Sequence, residues 1–217
     1  MTTIPVLITS DFICPWCYIG ERRLARAVTA LAEQSGADIH LDITWRAFEL
    51  NPDMPAEGMD RQAYRTAKFG SLEYSRRLDA QVTQAGKLDG LAFNYDRITR
   101  TPNTRRAHRL VWWASGNGHK PDDLVERLFQ AYFVDGRDLA ARDVLTQIAA
   151  QAGLDGNAAA AFLDTDQGTE EIIAAEQESH RRGVHAVPDF RVGPIAFSGA
   201  QPIGIMTEAL RRAALAR

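Results

Sequence analysis

Two cysteines separated by two residues are the first feature of this sequence that could do chemistry. Cys14 and Cys17 are the only cysteines among its 217 residues, so their number excludes a structural disulfide framework. A thiolate is the nucleophile in disulfide exchange, and a second thiol nearby can attack the mixed disulfide that forms. The spacing therefore predicts a redox-active dithiol, with Cys14 as the nucleophile and Cys17 as the resolving cysteine.

Three neighbouring residues fit such a centre. Pro15 suits the first position of a helix because it lacks the amide that would be unpaired there, and Trp16 offers an apolar surface beside the reactive sulfur. Asp11 is a candidate proton acceptor for Cys17, although an acid at the end of a strand is often only a turn or cap residue.

Two other interpretations of the cysteines have to be considered. They could be small buried apolar residues, or they could form a Cys2His2 zinc site together with His180 and His185. Compact zinc modules separate their two ligand pairs by about 12 to 15 residues. Here positions 18 to 179 lie between Cys17 and His180, so we predict no metal.

The elements around the motif place it at the edge of a sheet. Residues 4–9 are apolar and β-branched and predict a buried strand. A helix follows from Cys17 and ends at the stop signal Ser35-Gly36. In residues 39–45 apolar and polar side chains alternate, which predicts a second strand. A crossover of this length implies a parallel pair of strands. The cysteines then lie beyond the carboxyl end of the first strand, at a helix N-terminus whose free amides favour a thiolate.

The rest of the chain is mainly helical until a final hairpin. Helices are predicted over 57–85, 104–116, 121–134, 141–152, 157–163 and 168–182. Residues 190–192 and 195–197 predict two strands joined by Gly193-Pro194, and a last helix opens at Pro202. We therefore predict an α/β protein in which 1–50 and 166–217 form a sheet domain and 51–165 form a helical insertion.

Composition narrows the function classes. Hydrophobic residues make up 45% and charged residues 24%, as in ordinary globular proteins. A net charge of -3, with arginine pairs scattered along the chain, disfavours nucleic acid as a partner. The N-terminus has no signal-peptide pattern, and no apolar run is long enough to span a membrane, so we expect a cytoplasmic protein without a membrane partner. The sequence leaves the oligomeric state open.

Several short motifs carry a family resemblance over nearly the whole chain. They are DFICPWCYIG at 11–20, FELNP at 48–52, KFG at 68–70, NT at 103–104, AYF at 131–133, VP at 187–188 and SGAQP at 198–202, the first and last being the most specific. With these motifs the sequence resembles the DsbA-like branch of the thioredoxin superfamily, and most closely the FrnE-type proteins.

The resemblance implies a thioredoxin fold with an inserted all-helical domain and a Cys-x-x-Cys active site. It also implies that Pro188 is a cis-proline facing the cysteines, and that Val187 contacts an extended substrate through its main chain. Asp189 departs from the family, where threonine or serine is more usual, and an acid near the thiolate would oppose its formation. No cofactor is implied beyond glutathione as a redox co-substrate.

The leading hypothesis is a disulfide oxidoreductase or isomerase whose partners are protein or small-molecule thiols and disulfides. One alternative is a glutathione-binding isomerase or transferase of the 2-hydroxychromene-2-carboxylate isomerase or kappa-class type, against which the intact Cys17 argues. Another is a redox-independent peptide-binding or chaperone module with an aromatic groove in the insertion. The aromatic residues considered for that groove, which we expect to be core, are Tyr64, Phe69, Phe93, Trp112, Trp113, Phe129 and Tyr132.

Overall fold

The computed structural model describes residues 2–216. A four-stranded sheet has the order β2-β1-β5-β6, with β1 and β2 parallel and the other neighbours antiparallel. The elements are, in chain order, β1 (Thr2–Ser10), α1 (Pro15–Ser35), β2 (Ile39–Ala47), β3 (Met59–Asp60), α2 (Arg61–Phe69), α3 (Leu72–Leu88), a 3-10 turn (Tyr95–Arg97), β4 (Arg100–Thr101), α4 (Arg105–Gly116), α5 (Asp122–Phe133), α6 (Arg142–Gln151), α7 (Gly156–Leu163), α8 (Thr169–Arg181), β5 (Asp189–Val192), β6 (Ile195–Ser198) and α9 (Ile203–Leu215).

The chain forms two compact units. One contains the residues up to Phe48 and those from Ala175 onward, and the other is Glu49–Ala174. The sequence places these boundaries after residues 50 and 165 instead. The second boundary falls within α8, where the helical pattern is continuous and marks no division.

The sheet buries one face beneath α1 and α9. Successive side chains of a strand point to opposite faces, so alternate residues of β1 enter the core and their neighbours do not. The buried cluster joins β1 and β5 to the apolar stripes of both helices and consists of Ile4, Val6, Ile8, Leu24, Ala27, Leu31, Phe190, Val192, Met206, Leu210 and Ala213. This core fixes the start of α1 relative to the end of β1.

Helix α1 has the ends that its sequence predicts. Pro15 occupies the first turn, and Cys14 precedes it in an extended conformation. At the other end Gly36 is left-handed, and its amide donates to the carbonyl of Ala32 at 2.9 Å. The helix starts at Pro15, the residue predicted for its first position and two residues before Cys17, which makes Cys14 the N-cap residue.

The insertion differs from the prediction in two places. Residues 57–85 are not one helix, because Gly70 has a positive φ of 84° and Ser71 caps a new helix by accepting a hydrogen bond from the amide of Tyr74. The insertion is also not all-helical, since β3 and β4 form an antiparallel pair. Strands of two residues are too short to show a period in the sequence.

The aromatic residues of the insertion are divided between core and surface. Phe93, Phe129 and Tyr132 are buried, and Phe93 and Tyr132 contact the ring of Phe133 edge to face. The other four aromatic residues considered for a groove are partly buried: Tyr64, Phe69, Trp112 and Trp113. Within the described part of the chain, no helix is long and apolar enough to cross a membrane.

Candidate active site

The two cysteines lie at the junction of β1 and α1. The chain turns between Asp11 and Cys14, where the amide of Cys14 donates to the carbonyl of Asp11 at 3.0 Å, and the amide of Cys17 then donates to the carbonyl of Cys14 at 3.0 Å. Both side chains are thiols, with relative exposures of 5% for Cys14 and 2% for Cys17. The sulfurs are therefore held in the first turn of a helix, with Cys14 the outer of the two.

The start of β5 approaches Cys14 from the neighbouring strand. The peptide bond between Val187 and Pro188 is cis, as the resemblance implies, and the Cys14 thiol donates to the carbonyl of Val187 at 3.5 Å. The carbonyl of Pro188 accepts from the amide of Gly199 at 2.7 Å. A reactive sulfur, a main-chain carbonyl and a buried proline thus form one surface, although they are far apart in the sequence.

Gly20 allows this close approach. A methyl group added there would lie 3.0 Å from Cζ of Phe190 and 3.1 Å from Cγ of Pro188, closer than most side-chain contacts. Only a residue without a β-carbon lets α1 pack this tightly on the first residues of β5. The second helical turn is therefore shaped to hold Pro188 beside Cys14.

The environment of Cys17 favours its neutral form. Burial raises the pKa of the Cys17 thiol well above its usual value, and Cys14 raises it further by accepting a hydrogen bond and, when it is ionised, by its negative charge. The hydroxyl of Ser10 and the main chain of Asp11 act in the opposite direction and lower the pKa of Cys17. Because the effects that raise the pKa dominate, Cys17 is protonated and must lose its proton before it can attack a disulfide.

The remaining predicted residues lie around this centre. Trp16 is 42% exposed and Pro15 is partly buried, so both are beside Cys14 at the surface of the first helical turn. Asp11 is fully buried, and the carboxylate role predicted for it stays a prediction.

Asp189 is the departure from the family pattern, and its carboxylate is paired. It is the first residue of β5, opposite Thr9 on β1 and Ser198 on β6, and it accepts a hydrogen bond from the Ser198 hydroxyl at 2.7 Å. Its neighbour Phe190 enters the core beneath α1, so Asp189 points to the other face of the sheet. An effect of this acid on the active-site thiolate stays a prediction.

The histidines considered as zinc ligands contact other rings. The centroids of His180 and His185 are 5.9 Å apart, and His180 also lies 5.2 Å from the ring of Phe48. Between residues 2 and 216 there is no group of three or more His, Cys, Asp or Glu side chains that could hold a metal ion.

Sequence reasoning missed three residues of the site. Ser10 places its hydroxyl near Cys17, Gly20 admits Pro188, and Gly199 binds the carbonyl of Pro188. A signal for Ser10 was present, because it follows Ile8 at the interval that brings a strand side chain back to the same face. Gly20 and Gly199 lie in the first and last of the motifs that carry the family resemblance, but no local pattern predicts their contacts with Pro188.

Comparison with known proteins places these features in a family. Residues 6–211 match the family described as DSBA-like thioredoxin domain. A probable DsbA oxidoreductase from Streptomyces coelicolor has a similar structure, with a TM-score of 0.85 and 30% identity, covering 99% of this chain and 91% of that one. The YwbO protein of Bacillus subtilis is 27% identical over 212 residues, 96% of each chain.

More distant solved structures show the same fold. The cytosolic disulfide reductase DsbM from Pseudomonas aeruginosa has a TM-score of 0.68 at 20% identity, with 98% of this chain and 100% of that one covered. A 2-hydroxychromene-2-carboxylate isomerase has a TM-score of 0.66 at 19% identity, with 96% and 95% covered. The predicted α/β class and thioredoxin fold are confirmed, and the chain belongs to the DSBA-like thioredoxin domain family.

Proposed function

We propose that this protein is a thiol-disulfide oxidoreductase that acts on protein or small-molecule disulfides through a mixed disulfide at Cys14. The observation that carries the proposal is the position of the Cys14 sulfur, 3.5 Å from the carbonyl of Val187 beside the cis-proline, with Cys17 in the same helical turn. A substrate disulfide at this surface can meet the attacking and the resolving sulfur in succession.

The reaction follows from the two thiols. The Cys14 thiolate attacks one sulfur of the substrate disulfide, the substrate's S–S bond breaks, and the other substrate sulfur leaves as a thiolate. Cys17 then loses its proton to water and attacks the Cys14 sulfur, which forms the Cys14–Cys17 disulfide and releases the second substrate thiolate. The cysteine pair is oxidised, the substrate is reduced, and both released thiolates take protons from water. The reverse sequence oxidises a substrate dithiol.

Main-chain groups are suited to hold the substrate. An extended peptide can bind an exposed strand edge through backbone hydrogen bonds, without demanding a particular sequence. In this proposal Val187 supplies such a contact, Pro188 fixes its position, and Pro15 and exposed Trp16 provide an apolar surface for the residue next to the substrate cysteine. The site thereby selects for an accessible disulfide rather than for one amino-acid sequence.

Glutathione is the small thiol that we propose as redox co-substrate. A structure of DsbM with glutathione has the same fold as this chain, with a TM-score of 0.63. Reduction of the Cys14–Cys17 disulfide by glutathione would return the dithiol and complete a catalytic cycle. The likeness to a cytosolic reductase also supports our proposal that the protein works in the cytoplasm.

A glutathione-dependent isomerase is the second candidate. It is supported by the fold shared with 2-hydroxychromene-2-carboxylate isomerase. Such a reaction requires glutathione to bind without a Cys14 adduct and does not require a resolving cysteine. The intact Cys17 and the contact between Cys14 and Val187 favour disulfide exchange instead.

Reduction of insulin by dithiothreitol tests the proposal. The natural protein should accelerate the reaction, Cys14→Ser should leave only the uncatalysed rate, and Cys17→Ser should accumulate a mixed disulfide that mass spectrometry detects at Cys14. Equal, slow reduction by the natural protein and Cys14→Ser would refute disulfide exchange. A glutathione complex without a Cys14 adduct, with isomerase activity unaffected by Cys17→Ser, would establish the second candidate.

A further inference from the structure

Ser10 is the last residue of β1, and its side chain points towards the start of α1. Ile8 belongs to the core beneath α1, so the alternation of the strand turns Thr9 away and brings Ser10 back to the same face. Its main chain is fixed by pairing with Ala47, and its carbonyl accepts from the amide of Phe48 at 3.1 Å. With 5% of its surface exposed, Ser10 is a buried residue at the end of a paired strand.

The hydroxyl of Ser10 forms no hydrogen bond in the dithiol state, although it is buried. Buried hydroxyls are nearly always paired, because an unpaired one has lost its contacts with water and gained none. The same hydroxyl lies close enough to the Cys17 sulfur to lower the pKa of that thiol. A buried hydroxyl with no other partner is suited to donate to the Cys17 sulfur when that sulfur becomes charged.

The main chain of Asp11 acts on Cys17 in the same direction. Ser10 and Asp11 are consecutive, so the end of β1 presents two adjacent donors to one sulfur. Burial and the neighbouring Cys14 oppose them, and these groups together determine how readily Cys17 ionises. Hydrogen-bond donors that are already in position before a negative charge develops on the sulfur stabilise the thiolate more than the thiol.

We propose that the Ser10 hydroxyl, assisted by the amide of Asp11, is the hydrogen-bond donor that stabilises the Cys17 thiolate in the resolving step. This inference rests on the proposed function, because it assigns a residue to its second half-reaction. In that step Cys17 gives its proton to water and its sulfur bonds to the Cys14 sulfur. The bond between Cys14 and the substrate sulfur breaks, and the electron pair leaves on the substrate as a thiolate.

A chromogenic aryl disulfide separates the two half-reactions. Attack by Cys14 releases one equivalent of coloured thiolate, and attack by Cys17 on the mixed disulfide releases a second, so stopped-flow absorbance gives both rates. Ser10→Ala should leave the first phase unchanged and raise the pH midpoint of the second by about one to two pH units. Because a more basic thiolate is also a better nucleophile, the second phase below its midpoint should slow by roughly three- to fifteenfold.

Three further variants separate chemistry from folding. Ser10→Thr keeps the hydroxyl and should restore the second phase, whereas Thr9→Val removes a buried hydroxyl from the opposite face of β1 and should change neither phase. The thermal unfolding midpoint of reduced Ser10→Ala should equal or exceed that of the natural protein, since the change removes an unpaired group. Ser10→Gly removes the hydroxyl without adding bulk and should reproduce the slow second phase if the alanine variant does not fold.

The outcomes distinguish this inference from the proposed function. A second phase with unchanged rate and pH midpoint in Ser10→Ala or Ser10→Gly overturns the role of Ser10 and leaves disulfide exchange standing. Equal slowing of both phases overturns it too, because that pattern reports a displaced helix rather than a lost donor. If the natural protein releases only one equivalent, the resolving step is absent and the proposed function itself is wrong.

Discussion

Replacing Gly20 with alanine tests whether close packing between α1 and β5 positions the active site. The added methyl group would lie 3.0 Å from Cζ of Phe190 and 3.1 Å from Cγ of Pro188, and both residues are buried. Phe190 is in the core between the sheet and helices α1 and α9, and it cannot move without disturbing its neighbours. Pro188 is the residue expected to shift, by a few tenths of an ångström.

The expected cost combines two opposing terms. Adding a methyl group to a well-packed core usually destabilises a protein by about 1–3 kcal/mol. Alanine is better than glycine inside a helix by about 1 kcal/mol, which offsets part of that cost. We therefore expect Gly20→Ala to lower the free energy of unfolding by about 1 kcal/mol. Displacing Pro188 moves Val187 relative to Cys14 and should slow the attack of Cys14 on a disulfide by about tenfold.

Urea denaturation measures the first quantity, and the first phase of the aryl disulfide reaction measures the second. Gly204→Ala is the matched control, because this glycine lies in α9 with nothing within 4 Å of the added methyl group. That variant should be as stable as the natural protein or more so, by up to about 0.5 kcal/mol, with an unchanged rate. If Gly20→Ala behaves like Gly204→Ala in both measurements, the packing argument is refuted.

Two further predictions concern ionisable groups. The raised pKa of Cys17 means that, above about pH 8.5, the unfolded chain ionises more readily than the folded dithiol. The free energy of unfolding should therefore fall as the pH rises above that value, and Cys17→Ser should lack this loss in denaturation series at each pH. In the insertion, Arg105 binds both carboxylate oxygens of Glu49, whose side chain is 1% exposed. Arg105→Ala should cost about 2–3 kcal/mol, against less than about 0.5 kcal/mol for Arg127→Ala, which breaks an exposed pair with Asp123; similar values for the two variants would contradict a buried ion pair.

The elements that carry the cysteines could be predicted because each has a clear local pattern. β2 alternates over seven residues, and α1 has an apolar stripe with proline at one end and glycine at the other. The break at Gly70-Ser71 was missed because glycine inside a helical pattern is often tolerated, and only the capping bond of Ser71 shows that a new helix begins. β3 and β4 depend on a pairing between distant residues that no local period reports.

The candidate site could be predicted only as far as its reactive groups. Two cysteines at this spacing indicate redox chemistry by themselves, while the position of Pro188 beside them was inferred from a family resemblance. The contact between Cys14 and Val187 joins residues 173 positions apart. Such proximity follows from strand order and register, which the sequence of one chain does not specify.

The residues that sequence reasoning overlooked share a physical property: each is small and unremarkable until its surroundings are known. Gly20 matters for the side chain that it lacks, and Ser10 for a hydrogen bond that is not made in the dithiol state. Both choices oppose stability locally, since glycine weakens a helix and an unpaired hydroxyl weakens a core. Residues that oppose local stability and contact a reactive group are expected to be retained because they serve function. Cys17 shows the same opposition, because the burial that protects its thiol also opposes its ionisation, and the donors at the end of β1 counter that effect.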